Sequence, residues 1–154
     1  MSKCFRFRQL GFVAKHRVHR LTCLKHASNG RFRMSIRVDH ERRIVFSSYS
    51  GVVAAATVAE RRRQIEALNV PDYREIVDLT NVTEVHIGAD ALARTAKNGP
   101  PIVGRGTVRI IVAPSDWLYE IARTFAALSA GGLNSFMIVR SMQQAEEFLE
   151  WSEK

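Results

Sequence analysis

Thiols are scarce in this 154-residue chain: its two cysteines, Cys4 and Cys23, both lie within the first 33 residues. From residue 34 onward there are none, which excludes a disulfide framework, a cysteine-based zinc site and a cysteine nucleophile from that stretch. Acidic residues are missing from 1–33, where nine lysines and arginines stand without a single Asp or Glu. The rest of the chain carries fourteen basic residues against fifteen acidic ones, so the formal charge of +8 belongs to the leading segment. A basic pI ordinarily points to nucleic acid or anionic membranes, but here that inference applies to 1–33 alone. No apolar run approaches the roughly 18 residues of a membrane helix, and the N-terminus lacks the unbroken apolar stretch of a signal peptide. These absences lead us to expect a soluble cytoplasmic protein that does not insert into membranes.

The chain divides at this charge boundary into a basic extension, 1–33, and a body, 34–154. The extension is rich in Arg, free of acid and without a sustained apolar period, so no fold is assigned to it. It reads as a disordered or non-native segment, with Met34 as an alternative start. A nucleic-acid arm and an organelle presequence are the other readings. The body's length suits one domain that buries about two-thirds of its unfolded surface.

Ser35–Asp39 alternates apolar and polar residues, and Arg43–Tyr49 returns after a short polar turn, which predicts an antiparallel hairpin broken at Ser50-Gly51. Ala54–Leu68 reads as a helix opened by a Thr57/Glu60 capping box and closed by Asn69 and Pro71. Its apolar stripe is Ala54, Val58, Ile65 and Leu68, with Arg61 on the same face. Residues 75–79 read as a short apolar strand that meets an acidic residue, Asp78, near its end and opens into a polar loop. Gly88–Lys97 is a second helix, followed by a Gly/Pro loop over 99–106. Val108–Ala113 is a β-branched strand, and Ser115 caps a third helix carrying Leu118, Ile121, Ala122, Phe125 and Leu128 at helical spacing. Gly131-Gly132 ends it. Phe136–Val139 is a last strand, and Ser141 with Gln144 opens a terminal helix. The order β-β-α-β-α-β-α-β-α predicts an α/β domain: a mixed, mostly parallel sheet of about five strands with an N-terminal antiparallel hairpin and about four helices.

Over about 34–151 the chain resembles the STAS-like group, domains similar to bacterial anti-sigma-factor antagonists (SpoIIAA-like). The resemblance rests on the element order, on Ile76-Val77-Asp78-Leu79-Thr80-Asn81-Val82, and on Ile111-Val112-Ala113-Pro114-Ser115-Asp116 opening a helix with Ala122-Arg123 and Phe125. It implies a non-enzymatic regulatory or protein-interaction module. The antagonists carry their phosphorylated serine in an Asp-Ser-Ser-Gly run at a helix N-terminus, where added charge meets free amides. The matching stretch here is Val85-His86-Ile87-Gly88-Ala89, which has no hydroxyl, so the phospho-switch is not carried over.

The candidate partner-binding residues are Asp78, Thr80 and Asn81 at one strand exit and Ser115, Asp116 and Trp117 at the next. In open α/β sheets, partners are met at the carboxyl ends of strands. Asp78 and Thr80 serve equally well as caps of the turn, and Ser115 as a helix cap. Trp117 reads either as a contact residue or as packing beneath a loop. The run Arg61-Arg62-Arg63 reads as a solvated face, with the Arg61 stem over the core edge. His40 and His86 are the only histidines of the body and neither has a partner at metal spacing. No catalytic residue, metal site or cofactor is therefore expected. The sequence favours docking of an unidentified protein partner. The alternative is a carrier of a small apolar or lipid-like ligand, held between the helix at 115–129 and the sheet and bordered by the loop at 99–106.

Overall fold

The computed structural model describes residues 32–97, 108–129 and 136–152. The extension up to residue 31, the Gly/Pro loop over 99–106 and the Gly131-Gly132 stop lie outside them. Strands β1 (Phe32–Asp39) and β2 (Ile44–Ala54) form the expected antiparallel hairpin. Asp39 fixes its turn, the carboxylate accepting the amides of Glu41 (3.1 Å) and Arg42 (3.0 Å). Phe32 and Arg33, grouped by charge with the extension, pair with Gly51 and Ser50 as the first residues of β1. Ser50-Gly51 does not end β2. Gly51 takes φ 79°, which a glycine adopts without a Cβ clash, and the strand continues through a bulge.

Helix α1 (Ala55–Leu68) ends on Asn69 in the left-handed conformation, φ 51°, its amide bonded to the Glu66 carbonyl. Its start differs from the expected capping box. Thr57 sits inside the first turn, where its hydroxyl accepts the Ala54 amide at 3.5 Å, while Glu60 reaches forward to Arg63 and Gln64. Strand β3 (Arg74–His86) departs most from expectation, because it does not stop at Leu79. β2 runs alongside it as far as Ala54↔His86, so its edge stays paired on one side. Two register shifts absorb the polar residues read as a loop, with Ser48 opposite Asp78 and Ser50 opposite Asn81. On its other side β3 pairs with β4 (Arg109–Val112) only up to Asp78↔Val112. Helix α2 (Ala89–Lys97) follows β3; α3 (Asp116–Leu128), β5 (Phe136–Val139) and α4 (Met142–Ser152) complete the chain. The terminal helix opens nearly as read. The Ser141 hydroxyl accepts the Gln144 amide (3.2 Å), and the Gln144 side chain accepts the amide of Arg140, one residue earlier than in a regular box.

The five strands lie in sequential order, β1-β2-β3-β4-β5, antiparallel at the first pair and parallel thereafter. This is the expected α/β architecture. Right-handed crossovers that always advance in one direction must place their helices on one face. Accordingly Ile65 of α1 packs on Val38 and Val45, and Leu118 and Ala122 of α3 pack on Val77 and Ile111. Helix α4 covers the opposite face, setting Ala145 and Leu149 against Ile44, Ile76, Ile110 and Val112. Strand alternation separates the two sets: Ile76 faces α4, while Glu75 and Val77 face the three crossover helices.

Candidate functional site

The parallel register of β3 and β4 sets Asp78 beside Val112, so the turn into α3 begins next to the point where β3 leaves β4 and continues paired with β2 only. The rim residues have separate employments there. The Asp78 carboxylate accepts the Thr80 amide at 2.9 Å, which stabilises the bulge. Thr80 and Asn81 are exposed. Asp116 pairs with Arg140 at 2.8 Å, and the Arg140 guanidinium lies 4.1 Å from the centroid of the Tyr119 ring. That contact ties the start of α3 to the end of β5. Trp117 stands 43% exposed, a large apolar side chain in the first turn of α3. Ser115 occupies the N-cap position with extended backbone, but its side chain makes no capping bond. The hydroxyl is turned into buried space and has no partner among the described residues, so the expected cap is absent.

At the junction of β3 and α2, Ile87-Gly88-Ala89 lies at the helix N-terminus, with the Gly88 carbonyl accepting the Leu92 amide. No hydroxyl is present there. Both histidines of the body are exposed: His40 bonds to the Tyr73 hydroxyl (2.9 Å) and His86 pairs with Glu84 (2.8 Å). Among the described residues, no group of three or more His, Cys, Asp or Glu is placed to hold a metal. No described helix is long and apolar enough to cross a membrane.

The most unusual chemistry lies on the other side of the sheet, beneath the crossover helices. Glu75 is fully buried and accepts hydrogen bonds from two arginines. One oxygen takes the Arg61 Nη2 and the Ser47 hydroxyl, and the other takes Arg109 Nε at 2.5 Å. The Arg61 side chain is 6% exposed and that of Arg109 16%. Arg61 is therefore no part of a solvated face. It projects inward from the α1 stripe that carries Val58 and Ile65, and Glu75 gives its charge a partner there. Tyr49 completes the group, its ring centroid 6.0 Å from the Arg61 guanidinium carbon.

Burial governs the titration of these groups. It raises the Tyr49 pKa, opposed by the nearby Arg61 charge, so the phenol stays neutral at ordinary pH. It lowers the Arg61 pKa, opposed by Tyr49 and aided by the like charge of Arg109. Arg109 is brought down to about 10, chiefly by burial, with Tyr49 opposing and Arg62 assisting. Both guanidiniums stay charged near neutrality, since arginine does not deprotonate in proteins.

This group forms part of the wall of a cavity of about 110 Å³ between the sheet and the crossover helices. Tyr49, Val77 and Ile111 line it from the sheet, and Leu118, Ala122 and Phe125 from α3. Arg61 and Arg109 also border it; most of the remaining wall is aliphatic. The volume is below the several hundred Å³ of a drug-sized pocket. It is also smaller than the engineered apolar void of about 150 Å³ that takes up benzene, so it suits only a small molecule or part of one. The cavity lies where the sequence offered a pocket as its alternative, between α3 and the sheet. The charged cluster was missed because the pairing of Glu75 with Arg109 is a cross-strand register, visible only once β3 and β4 are known to be neighbours. The available signal was Arg61 itself, a charge set among the apolar positions of a helix.

No family profile matches the chain, nor does any curated protein. Among solved structures, an anti-sigma factor antagonist from Mycobacterium paratuberculosis is similar to it at 17% sequence identity and a TM-score of 0.45. The match covers 76% of this chain and 94% of that one. The architecture described above stands on its own strand pairing.

Proposed function

We propose that this chain is a non-catalytic regulatory domain of STAS-like type that holds a small apolar ligand between the sheet and α3. The cavity carries this reading. Its wall is almost wholly aliphatic and aromatic, so an apolar molecule buries its surface there without stripping water from polar groups. The described side chains around it offer no nucleophile–base pair and no carboxylate free of a salt bridge, so the site is suited to holding a molecule and not to transforming it. The phospho-switch of the antagonists is not assigned to it, because the stretch at the α2 N-terminus has no hydroxyl.

Calorimetric titration with benzyl alcohol tests this directly. Binding by the wild-type chain, lost in an Ala122→Leu variant that fills the cavity from α3, is the expected result. Equal binding by both proteins, or by neither, refutes it.

A second reading, docking of a protein partner, is favoured by Trp117. Its exposure on the first turn of α3 offers an aromatic anchor, and Thr80 and Asn81 are exposed polar residues on β3. Trp117 adjoins Leu118, which lines the cavity, so the two readings share one helix. A pull-down that Trp117→Ala abolishes supports docking; one it leaves unchanged removes the rim from the account.

A further inference from the structure

We propose that the basic N-terminal segment of this chain, residues 1–31, docks on the strand-exit rim over Trp117, setting its cations against Glu84, Asp90, Asp116 and Glu120. This surface is distinct from the cavity, and the proposal does not depend on the ligand reading.

Charge is the first ground. Residues 1–31 hold eight lysines and arginines and no acidic residue. The rim has the opposite sign. Asp90 lies in the first turn of α2 and Asp116 in the first turn of α3, with Glu84 near the end of β3 and Glu120 one turn into α3. All four are exposed. Arg140 is engaged by Asp116 and the Tyr119 ring, and Arg94 and Arg123 stand at least a turn farther along their helices. Position is the second ground. The segment joins the sheet at Phe32, which pairs with Gly51, and Gly51 in turn with Val82 of β3. Its last residue is therefore delivered level with the part of β3 that lies between Asp78 and Glu84. Crossing from β1 to the turn after β4 takes three strand spacings, about 15 Å, and 31 residues extend to at most about 100 Å. Reach does not limit the contact. Surface chemistry is the third ground. Trp117, 43% exposed, offers an indole face on which a Lys or Arg side chain can rest. Exposed ion pairs are individually weak, but a tethered segment meets its site at an effective concentration of about a millimolar, so several weak pairs suffice. Docked there, the segment competes with any protein partner for Trp117.

The test uses the full chain with Cys23→Ser, which leaves Cys4, between Lys3 and Arg6, as the one thiol for a nitroxide spin label. Trp117 and Trp151 are the two tryptophans, and Trp151, on the last turn of α4, is the control. In about 0.01 M salt, where the screening length is about 30 Å, we expect the Trp117 indole N–H signal to lose about half its intensity or more, and that of Trp151 to keep most of its own. In about 1 M salt, where the screening length is about 3 Å, the Trp117 loss should fall several-fold. The same fall is expected at low salt with Asp90→Lys and Glu120→Lys together, and the salt comparison decides the matter even where that variant does not fold. Equal broadening of the two indoles, or of neither, overturns the proposal. So does a Trp117 loss that persists in high salt, or one that passes from a spin-labelled chain to an unlabelled copy.

Discussion

Replacing Glu75 with Gln changes one oxygen of a fully buried side chain and almost nothing of its shape. Packing is thus held constant while the counter-charge of Arg61 and Arg109 is removed. Breaking a buried ion pair from one side costs about 3–5 kcal/mol, because the partner charge remains desolvated. Here two partners lose it together, which argues for the upper part of that range. Arg109, however, has a side chain 16% exposed and can swing toward water, whereas Arg61 at 6% cannot. The Gln carbonyl also retains one acceptor. These two features bring the expected loss to about 3 kcal/mol, carried mostly by Arg61. For a domain of this length that is about 12 °C in Tm, and about a fifth to three-fifths of the usual total stability of about 5–15 kcal/mol. Urea denaturation followed by far-ultraviolet circular dichroism measures it, with the midpoint lowered and the slope unchanged. A loss below about 1 kcal/mol would refute the reasoning, since it would mean that the guanidiniums already have other compensation.

Three further outcomes follow from the same contacts. The triple replacement Arg61→Met, Glu75→Leu, Arg109→Met should fold with stability within about 1 kcal/mol of wild type or above it, as apolar substitutes for buried charge networks do. Urea denaturation checks it, and a loss above about 3 kcal/mol would show that the charged cluster stabilises the fold beyond what apolar side chains supply. Asp78→Ala removes the acceptor of the Thr80 amide and should cost about 1 kcal/mol by thermal melting, with no effect on benzyl alcohol binding. Trp117→Ala should change stability by about 0.5 kcal/mol or less, because the residue is 43% exposed; a larger loss would show that the ring is a packing element of the rim.

Sequence patterns were enough for the architecture because its signals are local. The alternation in β1, the Asn69 stop after α1 and the spacing of Leu118, Ala122 and Phe125 each report a nearest-neighbour preference that packing then reinforces. The misreadings occur where distant residues decide. Asp78–Asn81 has loop-like composition, yet β2 gives it a partner and two bulges absorb the irregularity. Ser115 has the composition of a cap, but its hydroxyl is turned inward. Arg61 stands in a run of three arginines that suggests solvent, and its buried partner lies fourteen residues away on another element. Trp117 and Thr80, which the sequence left open between contact and structural roles, are exposed. A pocket between α3 and the sheet was among its readings, but the charged cluster beside it depends on how β3 and β4 pair.

The central claim is that a small molecule enters the space between the sheet and α3. Methyl-resolved NMR during addition of benzyl alcohol tests it most directly, because Val77, Ile111, Leu118 and Ala122 line the cavity wall. The account predicts saturable shifts concentrated on those methyls, with Ile44, Ile76 and Leu149 on the α4 face unmoved. Shifts absent from the cavity methyls at saturating ligand, or confined to the α4 face, would contradict it.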